Sequence, residues 1–320
     1  MPRNTRLSIR TQEDFAFPQA ICSYGYFLLE PNRWSPEEQA LYRIFDAAEW
    51  GLDAEPFATV IDQPEGRGSG IRVRCDRPIS VLAAKGLRAA VLRMTHAQED
   101  TGVWRKAHPR AARRGFGRLF RSPTLFEDMV KTITNCNVGW QSTIRMNRLM
   151  VEHIGAGAFP APEQLARWTP SRFQKRCGVG YRAKRIVGLA RRFERGEIDP
   201  LWFESEEVTD EELREALLAI DGFGPYATAN VMQLLGRYGH LPIDTESYRL
   251  YCKVTKTPRP KDAKRLDARI ESRYRRYGKQ RFLAYWFELW RDYESRRGDA
   301  WTWDPNVTGS SFTASQLGEE

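Results

Sequence analysis

"LLAIDGFGPYATAN", residues 217 to 230, sets two glycines around a phenylalanine and follows them with a proline, between two apolar stretches that read as helices. Gly222 and Gly224 are expected to take backbone angles closed to other residues, and Pro225 can open the second helix without losing a hydrogen bond. The turn is therefore short and stiff. Its glycine amides, with those of Tyr226 and Ala227 in the first turn of the second helix, lack intrahelical partners and make an anion site at a positive dipole end. A phosphate diester fits such a site. The same letters also serve as a plain αα corner, since Leu217, Leu218 and Ile220 before the turn and Ala227, Ala229 and Val231 after it would lock two helices together in either case.

The 320-residue chain has room for about two domains and a large core. Hydrophobic residues at 41% and charged residues at 28% describe an ordinary globular protein, and a formal net charge of +9 makes a polyanion a reasonable partner. The opening "MPRNTRLSIRTQEDFAF" lacks the apolar stretch of a signal peptide, and no apolar run of about 18 residues follows. The expected location is the cytoplasm, with no membrane attachment. Cys22, Cys75, Cys136, Cys177 and Cys252 are odd in number and far apart without a CxxC, which argues against a disulfide frame and a zinc site. The four histidines form no metal-binding pair at helical spacing.

Residues 57–63 ("FATVIDQ") and 70–76 ("GIRVRCD") are short and β-branched, and the glycine-rich stretch between them reads as a loop joining antiparallel strands. Across 102–121, Lys106, Arg110, Arg113, Arg114, Arg118 and Arg121 alternate with Pro and Gly, a basic connector rather than a core element. Helical periodicity follows. Ser122 reads as an N-cap with Pro123 at the first helical position and Phe126, Met129, Val130 and Ile133 on one face, and Thr209 with Glu212 makes a capping box. The stretch from Arg273 to Glu294 reads as one long aromatic-rich helix, and the polar end of the chain is expected to be mobile. The expectation is an α+β protein: an antiparallel β-rich domain over 1–100, the connector over 101–121, a mainly helical core over 122–302 and a flexible tail over 303–320.

Asp244 follows Gly224 by 20 residues in "LPIDTESYRLY". Hairpin, Gly/Pro-bearing loop and aspartate together resemble the helix-hairpin-helix (HhH-GPD) superfamily of DNA glycosylases. "GVGYRAKRIVGLARRF", 178–193, looks like a segment of the 8-oxoguanine glycosylases, and "LFEDMVKTITNCNVGWQST", 125–143, is similar to the helix and loop that open the helical core across the superfamily. The resemblance spans roughly 120–295 and is nearest the AlkA-type alkyl-base and 8-oxoguanine branch. The four-cysteine iron–sulfur cluster of the endonuclease III branch cannot form, because only Cys252 follows Asp244.

The resemblance implies a site and a partner, double-stranded DNA containing a damaged base, with no cofactor and a monomeric, DNA-associated protein. Breaking an N-glycosidic bond builds positive charge on the deoxyribose, so a carboxylate beneath the sugar favours the transition state; Asp244 takes that role, and its position also suits a helix cap. Members that cut the strand place a lysine where this chain has Tyr226, and a phenol cannot form a Schiff base, which implies a monofunctional enzyme. Tyr226, Trp140, Tyr285, Trp286 and Phe287 are the expected walls of the base pocket, and aromatic walls suit electron-poor alkylated bases. Asn137 matches the residue that fills the gap left by an extruded nucleotide, Tyr181 the wedge in the opposite strand and Arg182 the contact to the orphaned base. Gly222, Gly224 and Ala227 of the hairpin, with Lys184, complete the DNA contacts, and a monovalent cation is an expected guest of the hairpin carbonyls near Gly222. Leu283 stands where an 8-oxoguanine enzyme has a glutamine. A helix-hairpin-helix protein that binds or senses lesions without excising them, and an 8-oxoguanine-type glycosylase, stay open as alternatives.

Overall fold

The computed structural model describes residues 4–50, 52 and 55–308. Five short strands, β1 (Arg6–Ile9), β2 (Arg33–Ser35), β3 (Ala40–Phe45), β4 (Phe57–Asp62) and β5 (Ile71–Cys75), form one antiparallel sheet in the order β1-β5-β4-β3-β2. The two strands expected from their β-branched runs are β4 and β5, paired Thr59 to Cys75. Period-two alternation sends Leu41, Ile61 and Val73 to one buried face in a single cross-strand row. Arg43 and Phe45 share that inward face, and the placement of an arginine there demands a buried acid.

Helices make up the rest. The Leu125–Asn135 helix starts two residues later than expected: Thr124 is the N-cap, its Oγ1 accepting the Glu127 amide at 3.2 Å, while the Ser122 amide donates to Asp128 Oδ1 at 2.8 Å. The Thr209–Glu212 capping box forms as expected at the start of the Asp210–Leu218 helix. The single long helix expected from Arg273 is interrupted. An Asp267–Tyr274 helix is followed by 3-10 turns over Arg275–Gln280, where Gly278 has φ +53°, and only then by the Arg281–Arg297 helix. The expected basic connector is part of the core instead: it holds two short helices, Trp104 and Phe120 are buried, and Arg118 is buried against Asp14 at 2.8 Å. Trp303 is also buried and tilts against Trp290, so the tail does not begin there; residues 309–320 lie outside the described residues.

Two hydrophobic cores result. One gathers the sheet, the Val81–Thr95 helix and the chain from Leu234 to Trp303; the other runs from Leu125 to Met232. The strands precede the helical part in the chain, as expected of an α+β protein, and the last helices return to pack on the first strands. The seam between the cores is polar. Arg43 of β3 meets Glu127 (2.6 Å), which also holds Lys131 (2.7 Å); Arg93 meets Asp128 (2.8 Å); Tyr26 bonds Thr132 (2.9 Å); and Tyr24 donates to Asn230 (3.1 Å). Directional contacts of this kind fix how the two cores sit far more narrowly than apolar contact would.

Candidate active site

Where the seam opens, a cleft of about 1290 Å³ separates the cores. Its walls are the hairpin, the loop from Asn135 to Trp140, the start of the Thr245–Thr255 helix, the aromatic Arg281–Arg297 helix and the N-terminal Tyr24–Tyr26 segment.

The hairpin is held from below by Leu213, Leu217, Ile220, Phe223 and Ala227, all in one core. Gly222 has φ +98°, a conformation that favours glycine, and a Cβ there would fall 2.7 Å from Cδ of Arg185, whose flexible side chain would have to shift. Gly224 differs from expectation. Its φ of −81° is open to any residue and a Cβ would meet nothing within 4 Å, so the missing side chain leaves room on the outer surface only. With Pro225 at the first helical position, the amides of Gly224, Tyr226 and Ala227 have no backbone acceptor among the described residues. A monovalent cation near Gly222 would draw on main-chain carbonyls; those of Ile220 and Gly224 already accept the amides of Phe223 and Thr228, and each keeps a second lone pair. Gly222→Val is expected to weaken duplex binding by tenfold or more and to lower stability, whereas Gly224→Val leaves the melting temperature near wild type and weakens binding alone. Fluorescence anisotropy beside thermal unfolding reads both, and a Gly224 variant that binds normally would show that the turn does not touch DNA.

Across the cleft Asp244 caps the Thr245–Thr255 helix. Its Oδ1 accepts the amides of Glu246 and Ser247 and the Ser247 hydroxyl, each at 3.0 Å, while its own amide donates to Ser247 Oγ at 2.8 Å. Oδ2 has no partner among the described residues, and Asp244 lines the cleft. Burial pushes its carboxyl above the ordinary aspartate range, against the lowering effect of the Ser247 and Glu246 hydrogen bonds. The helix end thus clamps one oxygen and leaves the other to face whatever enters.

Tyr226 lines the same cleft. Its hydroxyl accepts from Asn135 Nδ2 at 3.5 Å, and burial together with the Asp244 charge keeps the phenol protonated far above its usual range. Trp140 lies over Gly25, where a Cβ would come 3.1 Å from the indole; Trp286 donates to the Ser23 carbonyl at 2.8 Å and packs on Tyr24, ring centroids 4.8 Å apart. Tyr285 is buried at the base of the cleft, its hydroxyl 3.5 Å from Ser247 Oγ. Phe287 is not a wall of this cleft. It lies on the other side of its helix, edge-on to His108 and tilted against Phe116, off the stripe of Tyr285, Trp286, Leu289, Trp290 and Tyr293 that lines the cleft. Leu283 is buried in the core and does not line the cleft either.

Asn137 stands exposed at the loop tip with φ +54°, and its Nδ2 donates to the Tyr181 hydroxyl at 3.4 Å. Tyr181 is 54% exposed. Arg182 departs from the expected role of a free base contact: it is 5% exposed, donates to the Cys136 carbonyl and stacks its guanidinium 4.6 Å from the Tyr181 ring centroid, so it braces the loop. Lys184 is exposed and away from the cleft, while Arg185 lines it. Sequence reasoning missed Tyr24, Gly25, Asn135 and Asn230. The aromatic-Gly-aromatic run "SYGYF" was the one signal that a segment so far upstream shapes the site.

No family model matches the chain, and no curated protein matches it. Solved structures do. The 3-methyladenine DNA-glycosylase from Archaeoglobus fulgidus superposes with a TM-score of 0.64 at 16% identity, covering 89% of this chain and 98% of that one. The 8-oxoguanine glycosylase/lyase of Clostridium acetobutylicum in its apo form gives 0.61 at 18% identity, covering 89% and 98%. The fold is that of the helix-hairpin-helix DNA glycosylases. The glycosylase fold also includes the sheet, because the coverage runs over nearly the whole of both chains. The same Clostridium enzyme in complex with double-stranded DNA containing cytosine opposite 8-oxoG matches at 0.60, with 16% identity over 92% of this chain and 100% of that one.

Proposed function

We propose that the protein is a monofunctional DNA glycosylase that excises a damaged, alkylated base from duplex DNA. The observation that carries this reading is Asp244: one carboxylate oxygen fixed by a helix N-terminus, the other open to a cleft whose opposite lip is the hairpin. As the glycosidic bond lengthens, positive charge grows on the deoxyribose, and a carboxylate held without freedom to reorient stabilises that charge more than the uncharged ground state. The same oxygen is placed to orient a water molecule that attacks the anomeric carbon.

Strand cleavage by a lyase route needs an amine on the sugar. The residues lining the cleft include no lysine, and Tyr226, which the sequence resemblance matches to the lysine of strand-cutting members, lines it. Lys131 lies behind Tyr26, 5.7 Å from its ring centroid, and is tied to Glu127. Trp140, Trp286 and Tyr226 give the cleft aromatic walls, a composition that favours electron-poor and cationic bases such as N-alkylated purines. The capping bonds of Asp244 would equally suit a protein that binds lesions without excising them, so the decision rests on chemistry. Incubation with duplexes carrying a panel of damaged bases should give strand breaks only after alkali, and borohydride should trap no protein–DNA adduct. Breaks without alkali or a trapped adduct would overturn the monofunctional reading, and release from no member of the panel would favour the binding protein.

A further inference from the structure

We propose that the exposed basic surface of residues 256–279 grips the phosphate backbone of duplex DNA flanking the cleft, about five base pairs from the nucleotide that the cleft holds. The proposal rests on the DNA reading above and adds a second place of contact to it.

The charge distribution is the first observation. Residues 251–281 hold twelve Lys and Arg against three Asp and Glu, an excess equal to the whole chain's formal net charge of +9. The other residues carry 38 of each sign. A protein otherwise neutral has thus placed its entire excess on one short segment. Lys253, Arg265, Arg273 and Arg281 of this segment are engaged by Asp292, Asp262, Glu288 and Glu271. Lys256, Arg259, Lys261, Lys264, Arg269 and Arg275 are exposed and have no acidic partner among the described residues. Cations left unpaired so close together repel one another, and a polyanion relieves that repulsion while releasing its own counterions.

Position supplies the second. The Thr245–Thr255 helix begins at Asp244 in the cleft and ends where Lys256, with φ 54°, turns the chain into the basic segment. Eleven residues of helix span about 16 Å, the length of about five base pairs. A second tie runs directly to the lip: Tyr248, which lines the cleft, donates its hydroxyl to Asp267 Oδ1 at 2.8 Å, at the start of the Asp267–Tyr274 helix. In this proposal the duplex lies along the Thr245–Thr255 helix, and with its nucleotide in the cleft it meets this surface. Pro258 and Pro260 limit how far the loop can move away.

Chemistry separates duplex backbone from single strands. Sequence-tolerant single-strand binders stack bases on exposed aromatic rings. Between 251 and 281 the large exposed hydrophobic side chain is Val254; Tyr274 is buried, and Tyr277 stacks on His108. Cations without rings read phosphate alone.

The test compares two variants of equal charge loss, Lys256→Ser/Arg259→Ser/Lys261→Ser/Lys264→Ser in the patch and Arg6→Ser/Arg10→Ser/Lys85→Ser/Lys106→Ser elsewhere. Binding to an undamaged duplex of about 25 base pairs is followed against salt. The patch variant should bind at least tenfold more weakly near 0.1 M salt, with the log–log salt slope reduced by about 0.9 for each phosphate that is no longer neutralised, while the second variant stays within about threefold of wild type. A duplex too short to reach the patch should not distinguish the proteins. Equal losses in both variants, or none in the patch variant, would overturn the proposal, as would loss of single-stranded RNA binding with duplex binding intact. Undamaged DNA keeps the outcome separate from excision. A protein that releases no base from any lesion duplex but shows the patch effect retains this surface and loses the proposed activity.

Discussion

Asp244→Asn is expected to slow base release by about 10²–10³-fold, the scale of removing one preorganised electrostatic group from a buried site, while duplex affinity stays near wild type. Stability should hold or rise. Asparagine caps helices as well as aspartate does, and its Oδ1 can keep the amides of Glu246 and Ser247. The wild-type carboxyl has its pKa raised by burial, so the folded state binds that proton more tightly than the unfolded chain, and the ionised form costs stability at neutral pH. That cost fades as pH falls. The variant's advantage in thermal unfolding should therefore be largest near neutral pH and shrink on acidification, and wild-type excision should fail on the acid side at a pH above the ordinary aspartate range. Single-turnover excision across pH beside melting curves measures both; a variant that excises at the wild-type rate would remove Asp244 from the chemistry.

Glu127→Ala should have the largest effect on stability, a loss of about 3–5 kcal/mol, because it leaves two buried cations without their acid. Arg43, Glu127 and Lys131 are all buried to within 1% of full coverage at the side chain. Burial raises the Glu127 carboxyl, yet the charges of Arg43 and Lys131 outweigh it and hold the pKa below its usual value. A depressed carboxylate contributes stability above its unfolded pKa and loses it as pH falls through the folded value. The difference between wild type and variant should thus narrow in acid. Chemical denaturation at several pH values tests this, and Arg43→Met/Glu127→Leu/Lys131→Met, which removes every charge together, should recover much of the loss. A single variant as stable as wild type would mean that the seam carries no net ionic stabilisation.

What could be read from the sequence was what local chemistry dictates. The Thr209 capping box, the β4 and β5 runs and the glycine corner depend on neighbours in the chain, and each sits where its residues place it. The strand-rich expectation for the first hundred residues omits the Val81–Thr95 helix, although Leu87, Val91 and Met94 carry helical spacing. Gly278 hid in an amphipathic pattern that continues through it, since periodicity does not register one residue with positive φ. Phe287 departs from expectation for a different reason: three consecutive aromatics cannot all share one face of a helix, and only packing tells that Tyr285 and Trp286 meet the cleft while Phe287 does not. Arg182 and Arg43 lay beyond reach because their acceptors, the Cys136 carbonyl and the Glu127 carboxylate, are over 40 residues away in the chain.

The corner at Gly222 belongs to one core and the helix behind Asp244 to the other, and among the described residues the buried members change from one core to the other near residue 122 and again near 233. The distance from that corner to the carboxylate is consequently not set by any single rigid element. It is a gauge calibrated by salt links outside the cleft lining, so loosening Arg93 or Arg43 would shift the corner against the carboxylate while every group that lines the cleft remains in place.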